Sequence, residues 1–407
     1  MITLKAYQEK AVTKLLDASC AALSYNETKR KIPILLKAPT GAGKTVIMAS
    51  FISQLISEVK MRPNIATDLA FIWLAPNTLH LQSYDSLKGF YSEMHDLKTK
   101  KIEDLGGNDF LHTNDLLFIN WSSVDKDKNT FRKENERNFN IQSLIENTYS
   151  KGTELVVIID EAHLSAFTGK QAIEVLKLID AKIEISVTAT PNHLPDYNVI
   201  IQRQSVVEEQ MIKKGVKLNI DLSEEEQKGT SIDLHLLRKA IEKRNELEKA
   251  YREAGININP LLLIQLPSEK AVLTDEDNSK RLIMENYLDG SEFGITTANG
   301  QLAIWLSDTK DKLNLEGLEL PLAQQKVLIF KQAISQGWDC PRAAVLLIFR
   351  EIGNATFGIQ TVGRILRMPE QKHYAREVLN HGYVYTNIQN EVIPLALRYK
   401  SNNVSCL

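Results

Sequence analysis

The sequence predicts an α/β fold of two lobes, each built on a parallel sheet, and three observations carry that expectation. Short apolar, β-rich runs recur through both halves of the 407 residues. Most of these runs are followed by a polar or small-residue turn and then by helical periodicity. The two sets of runs are separated by a stretch dense in Glu, Lys, Gln and Arg. Buried strands alternating with helices argue for parallel sheets covered on both faces. Functional residues are then expected at the carboxyl ends of the strands. A chain of this length also exceeds a single ordinary core.

In chain order, helical spacing runs from Glu9 to Leu23. The first strands are expected at Ile34–Leu36, Leu69–Leu74, Leu116–Ile119, Leu155–Ile159 and Ile183–Val187. From Val206 to Ala254 the composition turns polar, and Leu234 through Tyr251 reads as a charged amphipathic helix, expected to be a solvated connector. A second set of runs follows at Leu261–Leu266, Leu302–Leu306, Lys326–Phe330, Ala344–Phe349 and Tyr383–Tyr385. The organisation expected is a first lobe over 1–205, a charged helical linker over 206–255, a second lobe over 256–395 and a short tail over 396–407.

Composition narrows the function. A net charge of −2, with 43% hydrophobic and 25% charged residues, describes an ordinary globular protein and excludes a globally basic nucleic-acid binder. A local basic groove, or recognition through backbone amides, stays open. The cysteines (Cys20, Cys340, Cys406) are scattered, form no disulfide framework and fit a reducing cytoplasm. The first residues lack the pattern of a signal peptide, and no apolar run approaches the roughly 18 residues that cross a bilayer. The expectation is a cytoplasmic protein with no membrane partner.

The most informative segment is Ala-Pro-Thr-Gly-Ala-Gly-Lys-Thr at residues 38–45, set between an apolar strand and a helical pattern. Glycines at 41 and 43 let the backbone curl so that the amides of Thr40, Gly41, Ala42 and Gly43 can point at phosphate oxygens. The helix beginning near Lys44 adds its positive end. Lys44 would reach the β- and γ-phosphates, and the Thr45 hydroxyl would ligate Mg²⁺. Ile158-Ile159-Asp160-Glu161-Ala162-His163 supplies a strand ending in two carboxylates. Asp160 is placed to hold Mg²⁺, and Glu161 to orient and deprotonate an attacking water. On a helix, Gln360, Gly363, Arg364 and Arg367 would share one face.

Taken together, these segments resemble the motifs of superfamily two helicases and translocases. The loop at 38–45, the Asp-Glu-Ala-His (DEAH) box and Ser186-Val187-Thr188-Ala189-Thr190-Pro191 look like motifs I, II and III. Tyr7-Gln8 resembles the upstream glutamine motif, in which the Gln8 amide would read adenine. Leu74-Ala75-Pro76-Asn77-Thr78-Leu79 resembles motif Ia, and Asn120-Trp121-Ser122-Ser123 sits where that family has another strand-contacting motif. Gln336-Gly337-Trp338-Asp339-Cys340-Pro341 resembles motif V, and Gln360 through Arg367 resembles motif VI. The strings around Gly337–Ala343 and Gln360–Glu370, with Asn380–Asn387, look like the motor portion of type III restriction enzymes, the Res subunit.

The resemblance implies two RecA-like lobes with an ATP cleft between them, using ATP and Mg²⁺ to move along or remodel nucleic acid, DNA rather than RNA. It places Gly337 and Asp339 in the cleft and gives the finger role to Arg367, with Arg364 as the nearer phosphate sensor. Pro76, Asn77, Thr78, Trp121, Ser122, Thr188 and Thr190 would touch the strand. It further implies a restriction-modification or defence setting, with a methyltransferase-type subunit or a separate nuclease as partner. That family continues into a nuclease built on an Asp and a Glu-x-Lys, and no such constellation stands before Leu407. A motor that does not itself cut DNA is expected. A nucleotide-switched DNA clamp, the motor fragment of a type III restriction endonuclease whose nuclease domain is absent here, and a phosphotransferase are the competing readings. Trp73 and Trp305 are expected in the core, whereas Trp121 and Trp338 either touch nucleic acid or brace their loops. The remaining histidines show no metal-ligand spacing, and the lysines at 98–101 are expected in a solvated loop.

Overall fold

A computed structural model of the chain describes residues 3–24, 31–62, 65, 68–76, 78–92, 97–120, 130–131, 139–162, 170–220, 222, 232–267, 275–306, 312–331, 338–349 and 361–387. The chain divides into two compact units, Met1–Ser205 and Val206–Leu407. Among the described residues, no helix is long and apolar enough to cross a membrane.

The first unit contains α1 (Ala6–Ser24), β1 (Ile32–Lys37), α2 (Lys44–Met61), β2 (Asp68–Ala75), α3 (Leu79–Phe90), β3 (Lys98–Lys100) and β4 (Asp115–Asn120). Next come a small β5–β6 pair (Thr130–Phe131, Phe139–Asn140), α4 (Ile141–Ser150), β7 (Thr153–Asp160), α5 (Lys170–Ile179), β8 (Ile183–Thr188) and β9 (Tyr197–Ile200), with α6 (Arg203–Glu208) at the division. Seven strands form one parallel sheet in the order β3-β4-β2-β7-β8-β1-β9. In β2 every residue after Asp68 is buried, which is why its sequence shows an unbroken apolar run rather than alternation. The edge strand β9 is mostly exposed, so it leaves no comparable signal. Lys98 to Lys100, expected in a loop, pair as β3 alongside β4, and Lys100 is fixed to the buried Asp115 at 2.6 Å.

The second unit contains β10 (Gly215–Leu218), α7 (Ile232–Glu253), β11 (Leu261–Gln265), α8 (Asp275–Asp289), β12 (Leu302–Trp305), β13 (Lys312–Leu313), β14 (Val327–Phe330), β15 (Ala343–Ile348) and β16 (His381–Thr386). Their order is β10-β16-β15-β11-β14-β12-β13, parallel except for the antiparallel β12–β13 pair. Strands β11, β14 and β15 are buried throughout.

The solvated connector expected over 206–255 is corrected here. Residues Gly215–Leu218 pair with β16 as a strand of the second sheet. Helix α7 packs Leu236, Leu237, Ala240, Ile241, Leu247 and Tyr251 into that unit's core, beside Leu262, Ile264, Val345 and Tyr383. Each fully buried leucine there contributes about 1.5–3 kcal/mol. Its abundant charges lie on the other face, in pairs such as Arg238–Glu242 and Lys239–Glu242. Lys243 and Arg244 are the exceptions: both are buried, and Arg244 donates to the Pro260 carbonyl at 2.9 Å and pairs with Glu248 at 2.6 Å.

Candidate nucleotide site

The phosphate loop is built by its neighbours as much as by its own sequence. Strand β1 ends at Lys37, and the next amide, Ala38, donates to the Thr188 carbonyl of β8 at 3.0 Å. Gly41 and Gly43 have φ of 84° and 76°, in the left-handed region that favours glycine. Gly43 caps α2 without help from any side chain, and the helix has no acidic residue in its first turn. The positive end of α2 is therefore left for an anion, with Lys44 and Thr45 in that first turn.

Helix α1 clamps the loop from one side. The Tyr7 hydroxyl and the Gln8 amide both donate to the Ala42 carbonyl, at 3.0 and 3.1 Å, while Gln8 Oε1 accepts from the Lys5 amide at 2.9 Å. A Cβ at Gly43 would lie 2.6 Å from Gln8 Nε2. Gln8, expected to read adenine, is 3% exposed and is a brace of the loop.

The acidic pair sits at the end of β7, which flanks β8 on the side opposite β1. Both carboxylates therefore lie on the strand-end edge that carries the loop. Lys44 Nζ is 3.6 Å from Glu161 Oε1. Asp160 accepts from the Glu161 amide at 3.0 Å and from the Ser83 hydroxyl of α3 at 3.4 Å. Burial, and then the charge of Glu161, push the Asp160 carboxyl up to about 7, against the pull of Lys44. Such a carboxylate gains from a cation beside it. Glu161 itself has φ of 53°, the strained left-handed region for a residue with a side chain. The Ala162 amide then donates to the Val187 carbonyl at 3.2 Å and ties the turn to β8. Ser83 was not expected from the sequence, since a lone serine in a helix carries no spacing signal.

Among the described residues no group of three or more His, Cys, Asp or Glu could hold a metal ion. A divalent ion here would take Asp160 and the Thr45 hydroxyl and complete its shell with water and substrate phosphate oxygens, the pattern Mg²⁺ favours. The donor set fits that ion.

Thr188 lies at the end of β8, between the loop and the acidic pair in the sheet order; its hydroxyl accepts from the Thr190 amide at 3.1 Å. Thr190 Oγ1 is buried and has no hydrogen-bond partner among the described residues. Pro76 is buried just past β2, and Thr78 is exposed at the start of α3. Asn77, Trp121, Ser122, Gly337, His163 and Gln360 lie outside the described residues.

In the second unit, the expected arginines and Asp339 come together. Arg367 forms an ion pair with Asp339, and Arg364 Nη1 donates to the Trp338 carbonyl at 2.8 Å. Trp338 is 6% exposed, packs edge-to-face on Trp305 and donates to Glu319 at 2.7 Å, so it braces its loop rather than facing nucleic acid. The shared helical face through Arg367 is corrected. Residues 361–364 are helical, but Arg367 is extended and forms a single antiparallel bridge with Ile212. Pro369 shortly after disfavours helix at Met368, and pairing with the segment after the unit boundary supplies the alternative.

Residues 1–193 match the family described as "Type III restriction enzyme, res subunit". That match lies within the first unit. No curated protein matches the sequence. Among solved structures, the "ATP-dependent Type ISP restriction-modification enzyme LlaBIII bound to DNA" is similar at 15% identity and a TM-score of 0.54. That match covers 94% of this chain and 27% of the other, so this chain spans about a quarter of that enzyme's length. Two structures of S. cerevisiae Dbp5 bound to RNA and ADP BeF3, one a single-site variant, match at 13% and 12% identity with TM-scores of 0.49 and 0.50. Each match covers 99% of this chain and 93% of the other. At such identities the likeness is one of fold, and the fold is that of two RecA-like lobes.

Proposed function

We propose that this protein is an ATP-dependent nucleic-acid translocase or helicase, acting on DNA in a restriction or defence setting. The observation that carries the reading is the convergence of Lys44, Asp160 and Glu161 at one strand-end edge beneath a glycine-turned loop and an uncapped helix start. The loop amides and Lys44 bind the β- and γ-phosphates. Thr45 and Asp160 hold Mg²⁺, which neutralises phosphate charge when bound. Glu161, kept in place by its strained backbone and by Lys44, orients the attacking water and takes its proton. Arg367, with Arg364 beside it, supplies positive charge to the transferred phosphoryl, an effect worth roughly 10³–10⁵ in rate in comparable enzymes. Thr188 and Thr190 link the hydrolytic edge to the strand, with Pro76, Asn77, Thr78, Trp121 and Ser122 contributing contacts. The res-subunit match over residues 1–193 and the likeness to a DNA-bound restriction enzyme support DNA as substrate and a modification subunit as partner.

The test is an ATPase assay with single-stranded DNA, duplex DNA and RNA offered in parallel. DNA should stimulate turnover most, and Lys44→Ala should abolish it. ATPase activity indifferent to every nucleic acid would favour a phosphotransferase instead.

A further inference from the structure

The chain leaving the first unit runs directly to the backbone of Arg367. Just past the division at Ser205, Met211 to Lys213 lie antiparallel to Leu366 to Met368: the Lys213 amide donates to the Leu366 carbonyl at 2.7 Å, the Met368 amide to the Met211 carbonyl at 3.3 Å, and Ile212 bridges Arg367. A second tie closes the turn that follows Arg367. Gln210, itself left-handed at φ 61°, accepts from the His373 amide through its Oε1 at 2.9 Å. His373 Nε2–H donates back to the Ile212 carbonyl at 2.9 Å. The two ends of the turn, Arg367 and His373, are thus fastened to one four-residue segment, Gln210–Lys213.

We propose that Gln210 and His373 are positioning residues for Arg367, and that the segment they clip links the arginine to the chain crossing between the units. The turn after Arg367 is closed on itself by the Gln371 amide donating to the Met368 carbonyl at 3.2 Å, a bond that does not tie it to Gln210–Lys213. The contacts of His373 with the Gln210 side chain and the Ile212 carbonyl supply that tie and fix the direction in which the guanidinium leaves the backbone. The same segment follows α6 in the chain, so it joins the stretch that crosses the division at Ser205 directly to the backbone of Arg367.

This inference rests on the finger role assigned to Arg367, and a double-mutant cycle separates the two. The variants are Arg367→Ala, the pair Gln210→Ala with His373→Ala, and all three together, assayed for DNA-stimulated ATPase with the melting midpoint of each recorded. The paired variant should lose about 10- to 100-fold in kcat with KM for ATP unchanged, the scale of a misdirected catalytic group. It should lose nothing further in the Arg367→Ala background. His373→Gln, which keeps a donor toward Ile212, should recover most of the turnover that His373→Ala loses, which keeps the test open if the pair folds poorly. Parental kcat in a folded paired variant, or a loss fully additive to that of Arg367→Ala, overturns the clip. Parental turnover in Arg367→Ala itself overturns the finger role first.

Discussion

Gly43 shows how little latitude the nucleotide loop has. Its φ of 76° lies in the region where a Cβ clashes with the following carbonyl, and that Cβ would also press on the Gln8 amide at 2.6 Å. Gly43→Ala should therefore cost about 1–2 kcal/mol of stability from the backbone alone. It should also push Gln8 off the Ala42 carbonyl and weaken ATP binding at least tenfold. Titration with a fluorescent nucleotide, alongside a melting curve, checks both effects. Unchanged affinity would mean that the loop does not hold the phosphates. At this scale the sequence was informative wherever chemistry demands a fixed spacing. The glycines, Lys44 and the Asp160–Glu161 pair could all be named from the octet and the strand end. Ser83, which steadies Asp160, was invisible because one hydroxyl in a helix looks like any other. Gln8 was visible as a residue, but its partners were not, since the Ala42 carbonyl belongs to a distant element.

Elements were legible in proportion to how completely they are buried. The central strands β2, β11, β14 and β15 are covered on both faces and announce themselves as apolar runs. The edge strand β9 alternates too weakly to stand out, and α7 hides an apolar stripe among salt-bridged charges, so composition suggested a connector where packing makes a core helix. The bridge between Ile212 and Arg367 was illegible for a different reason: a single-rung pairing has no periodicity. That same segment buries a charge. Lys213 is 1% exposed, and burial pulls its ammonium down to about 7, with the Ala343 carbonyl as acceptor at 3.4 Å. From about pH 7 up to its ordinary value of 10.5 the unfolded chain binds the proton and the folded one does not. Native stability from this group therefore rises with pH across that window and is lowest below it. Lys213→Met keeps the backbone ladder and removes the buried cation. It should raise stability at pH 7 by about 1–3 kcal/mol and flatten the slope between pH 7 and 10. Denaturant titrations of both proteins at three pH values provide the measurement.

At the scale of the molecule, two sheets of the same parallel type, divided at Ser205, each carry part of the proposed chemistry. The first holds the phosphate loop and the acidic pair, the second the arginines. A stepping motor and a nucleotide-switched clamp share that division of labour and differ in how they use fuel. On linear duplexes of increasing length, a translocase should consume ATP per binding event in proportion to length. A plateau after a few turnovers would identify the clamp. Single-turnover experiments with a trap for rebinding decide between them.

The fastening of α1 to the Ala42 carbonyl by Tyr7 and Gln8 has a practical side. A purification tag or fluorophore fused ahead of Lys5 would hang within a few residues of the Gly41–Gly43 turn and tug on it with every collision. Reporter dyes belong instead on the outward flank of α7, for example at Lys249, whose side chain is 73% exposed.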